Sequence, residues 1–276
     1  MEEIIMHKIG FIVEMKDCRD AGDLRRWVDL AQQQGIDGVE LLFNSKCGVD
    51  FSLEKIMPAF ENTSVEPAAC GLWWLNTISP DPNERTMVRK TMLEFLNMVE
   101  AIGCKMAFFN TGEYDPSDPD KNIEEFKKEY LYYKEIADRK GIRLACYLGH
   151  GGNFVHSREI LDKLLKEVPE FNIKLDPVGV MRNMKDDPYE IIKRYADRIA
   201  HFHAKDIFRY GDDGWEIEPI VGMGQLKWNI MLGMLWNVGY DGYIIIEPHG
   251  DVWAEPENRW KHIMLSKRHL EQYMIR

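Results

Sequence analysis

The segments His201-Phe202-His203-Ala204-Lys205-Asp206 and Ile244-Ile245-Ile246-Glu247 place metal-ligand chemistry at the ends of apolar runs that read as buried strands. Side chains alternate across a strand, so His201, His203 and Lys205 share one face. A carboxylate where such a run stops needs a partner, because an unpaired buried charge is costly. A cation or a substrate supplies one. Asp176, at the end of the run from Asn172, adds a third donor. Mixed carboxylate and imidazole ligands suit a divalent ion such as Mn²⁺, Zn²⁺ or Mg²⁺, and a set of Asp176, His203 and Glu247 leaves room for substrate oxygens. Plainer roles stand beside these: Asp176 as the cap of a turn before Pro177, His203 as a core histidine bonded to backbone. The convergence of all three at strand ends favours the ion.

Other residues read in pairs of alternatives. Lys205 either forms an ion pair with Asp206 or holds a substrate oxygen. Arg209 lies in Ile207 to Gln225, a segment long enough to fold over a site, and either reaches substrate or is a solvated loop charge. Trp73, followed by Trp74, and Trp253 offer faces for the apolar side of a sugar ring, or else pack internally or at a subunit interface, so a homo-oligomer is among the expectations. Glu40 points inward from its strand and binds either a substrate hydroxyl or Lys105 or Arg143. His201, one step below His203, orients a neighbour or fills the core.

The elements that must position these residues alternate along the whole chain. Strand candidates are Ile9 to Glu14, Gly38 to Phe43, Val65 to Leu72, Lys105 to Thr111, Arg143 to His150, Asn172 to Asp176, Ile199 to Lys205 and Tyr243 to Glu247. Amphipathic stretches lie between them, several ending at a glycine (Gly35, Gly103, Gly141, Gly239) suited to a left-handed C-cap. Eight such units predict a single (β/α)8 TIM barrel spanning residues 1–276. No Gly-rich dinucleotide loop follows the first strand, and no linker divides the chain. In such a barrel the strand C-terminal ends form one mouth, which gathers Glu14, Glu40, His150, Asp176, His203 and Glu247.

Composition narrows the partners. A formal net charge of -11 argues against a nucleic-acid grip, which relies on clustered Lys and Arg. Five scattered Cys make a poor disulfide framework, and the acidic Met1-Glu2-Glu3 start lacks a secretory signal, so a cytoplasmic protein with reduced thiols is expected. No apolar stretch is long enough to span a bilayer.

In order along the chain, Gly38-Val39-Glu40-Leu41, Gly149-His150-Gly151-Gly152, Leu175-Asp176-Pro177, His203-Ala204-Lys205-Asp206, Gly222-Met223-Gly224 and Gly239-Tyr240-Asp241-Gly242-Tyr243 leading to Glu247 make a familiar series. The chain resembles the xylose-isomerase-like TIM-barrel superfamily, the sugar phosphate isomerases/epimerases, which includes ketose 3-epimerases and inosose dehydratases. The resemblance implies one divalent ion held by a Glu from strand five, an Asp from strand six, a His from strand seven and a Glu from strand eight. Asp176, His203 and Glu247 match the last three. The family's Glu-Asn-His-Gly-Gly reads Leu148-Gly149-His150-Gly151-Gly152 here, so Leu148 stands where the strand-five carboxylate is expected. Gly179 likewise replaces the His that often follows three residues after the strand-six Asp.

A family epimerase shuttles a proton between two carboxylates beside a metal-polarised carbonyl. With Leu148 in place of one of them, His150 is the nearest replacement, either as a fourth ligand or as the second acid/base, for which its ordinary pKa suits proton transfer near neutrality; the plainer role is a histidine hydrogen-bonding in the Gly-rich turn. The resemblance therefore implies a metal-dependent enzyme acting beside the carbonyl of a sugar, keto-sugar or cyclitol, with Glu247 as ligand and base. Isomerisation is the default and elimination of the dehydratase or lyase type its nearest variant. The alternative is a non-catalytic sugar-binding barrel that has lost the strand-five Glu. A DNA-repair nuclease on the same kind of barrel would need more His and carboxylate ligands than the chain supplies.

Overall fold

A computed structural model describes residues 7–113, 115, 117–150, 152–211 and 214–275. The Met1-Glu2-Glu3 start and Gly151 of the Gly-rich turn lie outside the described residues. Eight parallel strands close a barrel: β1 (Lys8–Glu14), β2 (Gly38–Asn44), β3 (Glu66–Trp73), β4 (Met106–Phe109), β5 (Arg143–Tyr147), β6 (Ile173–Leu175), β7 (Ile199–Ala204) and β8 (Tyr243–Ile246). The ring is sealed where β1 pairs with β8, Phe11 standing beside Ile246.

The period-2 alternation sorts each strand into two layers. Ile12, Leu42, Phe108, Ala145, Tyr147 and Ile245 fill the barrel interior. Phe11, Leu41, Phe109, Cys146, Phe202 and Ile246 face the other way, into the core shared with the helices. Those helices are α1 (Ala21–Gln33), α2 (Leu53–Ile56), α3 (Pro82–Ala101), α4 (Pro119–Arg139), α5 (Arg158–Glu167), α6 (Pro188–Tyr195), α7 (Trp228–Asn237) and α8 (Pro256–Leu270). Their starts are fixed by side chains that satisfy free backbone N–H groups, such as Asp20 on Gly22 and Asp23, and Ser157 on Ile160. Gly35, Gly103, Gly141 and Gly239 all adopt the positive φ expected of them after helices.

Strand five departs from the sequence reading in a way that matters for the site. Its ladder stops at Tyr147, and Gly149, at φ 59°, turns the chain out of extended conformation. Leu148 packs into the outer core, and the last inward-facing residue of β5 is Tyr147. His150 therefore does not continue the phase of Leu148. It arrives at the mouth through the turn, its ring edge-on to Trp73 at a centroid distance of 4.1 Å.

Candidate active site

β7 and β8 bring the principal groups together. Pairing of Ile245 with His203 and of Ile246 with Ala204 sets Glu247 beside the end of β7. His203 Nδ1 lies 2.7 Å from Glu247 Oε2, and its Nε2 lies 3.0 Å from Glu40 Oε2. His201 Nε2 reaches the same Glu40 oxygen at 2.5 Å. All four side chains are buried. Burial alone would raise the Glu40 carboxyl, but His203 and His201 hold it down to about 2. Burial dominates at His201, pushing it down to about 4 despite Glu40. At His203 burial is outweighed by Glu40 and by the bond to Glu247, and its pKa rises.

Glu40 thus serves the two imidazoles. It is absent from the cavity lining at the mouth and makes no pair with Lys105 or Arg143; Arg143 faces Asp241 at 3.6 Å. A substrate-hydroxyl role for Glu40 has no support in this arrangement.

Lys205 resolves its two alternatives differently from expectation. It leaves Asp206 and lies 3.1 Å from Asp176 Oδ2 and 3.2 Å from Glu247 Oε2. Against the penalty of burial, Lys205 holds the Asp176 carboxyl down to about 2 and, with His203, keeps Glu247 well below the carboxylate range. Asp176 also does what its place before Pro177 suggests, since Oδ1 accepts from the backbone N–H groups of Val178 and Gly179 at 2.9 and 3.2 Å. One oxygen caps a turn and the other faces the site.

Asp206 is instead the anchor of the segment that follows β7. It accepts from the N–H groups of Ile207, Gly222, Gly224 and Leu226 and from the Trp228 indole. Within that segment Phe208–Arg209 pairs with Glu216–Ile217 in a short hairpin. Arg209 is bound there to Glu216 at 2.8 Å, so the structure does not bring it to the Asp176–Glu247 cluster.

Trp73 lines the mouth, where with Trp74, Glu247 and His249 it walls a cavity of about 150 Å³. Trp74 also borders an adjoining cavity of about 390 Å³ with Asn110 and Asn153. Trp253 lines a separate cavity beside Arg182 and Glu218. His150 is half-buried, its Nδ1 shut from solvent with no hydrogen-bond partner, and burial, reinforced by Lys174, lowers its pKa to about 4. It is a neutral imidazole at physiological pH.

Four participants were missed from the sequence. Lys174 shares the inward phase of Asp176, and its ammonium lies over the Tyr147 ring at 4.4 Å; the period-2 pattern of β6 and β5 carried that signal. Glu218 and His249 pair at 3.0 Å on loops whose paths no periodicity predicts.

The donors suit a cation. Glu40, His201 and His203 bring ligand atoms within 4.8 Å of one another, and Glu40 Oε1 is buried without a partner. Nearer the mouth, Asp176 Oδ2 and Glu247 Oε2 already converge on one positive charge. Oxygen and imidazole ligands of this kind fit Mn²⁺, Zn²⁺ or Mg²⁺.

A closed parallel barrel with carboxylates, imidazoles and a lysine gathered at its strand C-terminal ends defines a (β/α)8 barrel of enzyme type. The model of the xylose isomerase-like TIM barrel family matches residues 28–268, and the chain belongs to that family. An inosose dehydratase of Clostridium perfringens (strain 13 / Type A) is 23% identical over 226 residues, covering 72% of this chain and 74% of its own. Other inosose dehydratases match over shorter stretches, 43% to 47% of their length. D-psicose 3-epimerase from Clostridium cellulolyticum H10, solved with D-tagatose, superposes with a TM-score of 0.75 at 14% identity, covering 96% of this chain and 99% of that one. The IOLI protein, solved with a bound zinc atom, gives 0.70 at 14% identity over 97% and 99%.

Proposed function

We propose that the protein is a divalent-metal-dependent enzyme that removes a proton beside the carbonyl of a sugar, keto-sugar or cyclitol. The observation that carries this reading is the convergence of Asp176 and Glu247 on one cation position, with His203 bonded to Glu247 and Trp73 walling the space above. Asp176, His203 and Glu247 would hold the ion. When bound, it would polarise the substrate carbonyl as a Lewis acid.

The chain's own residues supply the rest. Glu247 is ionised, buried and fixed by His203, so it accepts a proton without reorienting. On the strand-five side there is no carboxylate in Arg143–Tyr147, and the groups available are the Tyr147 hydroxyl, the His150 imidazole and the Lys174 ammonium. A neutral His150 is a proton acceptor; of these groups the Lys174 ammonium, its pKa lowered by burial, carries the proton that a departing hydroxyl would need. This asymmetry favours elimination over two-carboxylate epimerisation, and the similarity to inosose dehydratases agrees with it.

The test is solvent deuterium exchange. Purified protein with Mn²⁺ is incubated in D₂O with an inosose, D-psicose and D-tagatose in turn, and NMR follows the hydrogen beside the carbonyl. Exchange, with or without loss of water, supports the reading. No exchange with any of the three, alongside tight sugar binding, would favour a barrel that binds without chemistry.

A further inference from the structure

Lys205 stands where an ion held by Asp176 and Glu247 would sit. Its ammonium is 3.1 and 3.2 Å from the two facing oxygens, and the side chains are 8%, 7% and 7% exposed. Carboxylate oxygens bind such ions at about 2.0–2.2 Å, so an ion drawing in both would fall on or beside Nζ. Two cations cannot share that point, and their repulsion is strong at such range. Asp176 cannot easily turn aside, because its other oxygen is committed to Val178 and Gly179.

Among the described residues one further carboxylate is within ion-pair reach of Lys205. Glu218 Oε2 lies 3.9 Å from Nζ and is itself 7% exposed. Arg182 at 2.6 Å and His249 at 3.0 Å hold Glu218 in place. The flexible four-carbon stem of a lysine spans such a step readily.

We propose that Lys205 is a built-in counter-ion that competes with the divalent ion for Asp176 and Glu247, and that Glu218 is the berth it takes when the ion enters. The inference rests on the metal reading above. Without the ion, the ammonium neutralises two carboxylates that would otherwise be buried together unpaired. With the ion, Lys205 moves against the segment between β7 and α7, which Asp206 anchors. Metal affinity is then set by a competition inside the protein.

Mn²⁺ binding by calorimetry and by the EPR signal of free Mn²⁺ tests this in wild type, Lys205→Met, Glu218→Gln and the double variant. Removal of the competitor should tighten binding about tenfold or more, and loss of the berth should weaken it several-fold. In the Lys205→Met background, Glu218→Gln should have no effect, since the berth serves only the lysine. Lys205→Gln provides a polar replacement should the Met variant not fold. Wild-type binding that Lys205 variants fail to tighten, or a Glu218→Gln effect equal in both backgrounds, rejects the competition while leaving the metal reading intact. Absence of Mn²⁺ binding in every variant rejects both.

Discussion

His203 is held by Glu247: its Nδ1 donates to Glu247 Oε2 at 2.7 Å while Nε2 faces Glu40 Oε2 at 3.0 Å. An ionised carboxylate only accepts hydrogen bonds, so without an ion a ring nitrogen bonded to either carboxylate carries the proton, and a nitrogen that ligates the ion would release it. His203 fixes the rotamer of Glu247 from below while Lys205 fixes it from the side. Glu247→Gln keeps the shape and removes the base. Proton exchange beside the substrate carbonyl should fall by about 10²–10⁴-fold, with circular dichroism and the melting transition showing a folded protein. Near-normal exchange in this variant would remove Glu247 from the chemistry.

Glu40 answers for the deeper layer. Its side chain is fully buried beneath two histidines, and it accepts from both through one oxygen. Removing one member of a buried charged network leaves the others uncompensated, at about 3–5 kcal/mol. Glu40→Ala should therefore lower the unfolding free energy by that order in urea melts. A loss below about 1 kcal/mol, the range of an exposed pair, would show that Glu40 does not stabilise the barrel.

The barrel was legible because apolar strands and glycine-ended helices repeat along the chain, and Gly35, Gly103, Gly141 and Gly239 all take the conformation their positions imply. Asp176, His203 and Glu247 were legible for a similar reason: each ends or nearly ends a strand, and register does the rest. Periodicity failed where extended backbone stopped. Gly149 breaks the alternation that would have aligned His150 with Leu148, and Lys205 chose between carboxylates that lie far apart in sequence. Glu218 lay beyond any pattern, because a loop position is fixed by its anchors, here Arg182 and His249.

Asp206 is one such anchor. Its carboxylate accepts five N–H groups, four of them from the backbone between Ile207 and Leu226. Asp206→Ala leaves those donors unmade in a buried setting, where each unsatisfied group costs about 1–3 kcal/mol before water enters. Hydrogen exchange should accelerate at Ile207, Gly222, Gly224 and Leu226 and remain slow in β1 to β4. Unchanged protection at these four amides would show that the segment is held by other contacts.

The acid limb of stability is set by histidines buried in neutral form, among them His262. It sits on α8 with Nδ1 3.2 Å from Ser266 Oγ, and Ser266 Oγ in turn accepts from the Val221 N–H at 3.2 Å. Burial lowers its pKa from 6.5 to about 4. Below pH 6.5 the unfolded chain therefore binds a proton that the folded chain refuses, so stability is full above 6.5 and is lost as pH falls towards 4. At 1.36 kcal/mol per pKa unit, the loss from this group approaches about 3 kcal/mol. His7, His150 and His201 are lowered too and act in the same direction. Replacing His262 by Gln should flatten the decline between pH 6.5 and 4 without abolishing it. Urea midpoints measured across that window decide the matter, and an unchanged slope would mean that His262 is protonated in the folded protein.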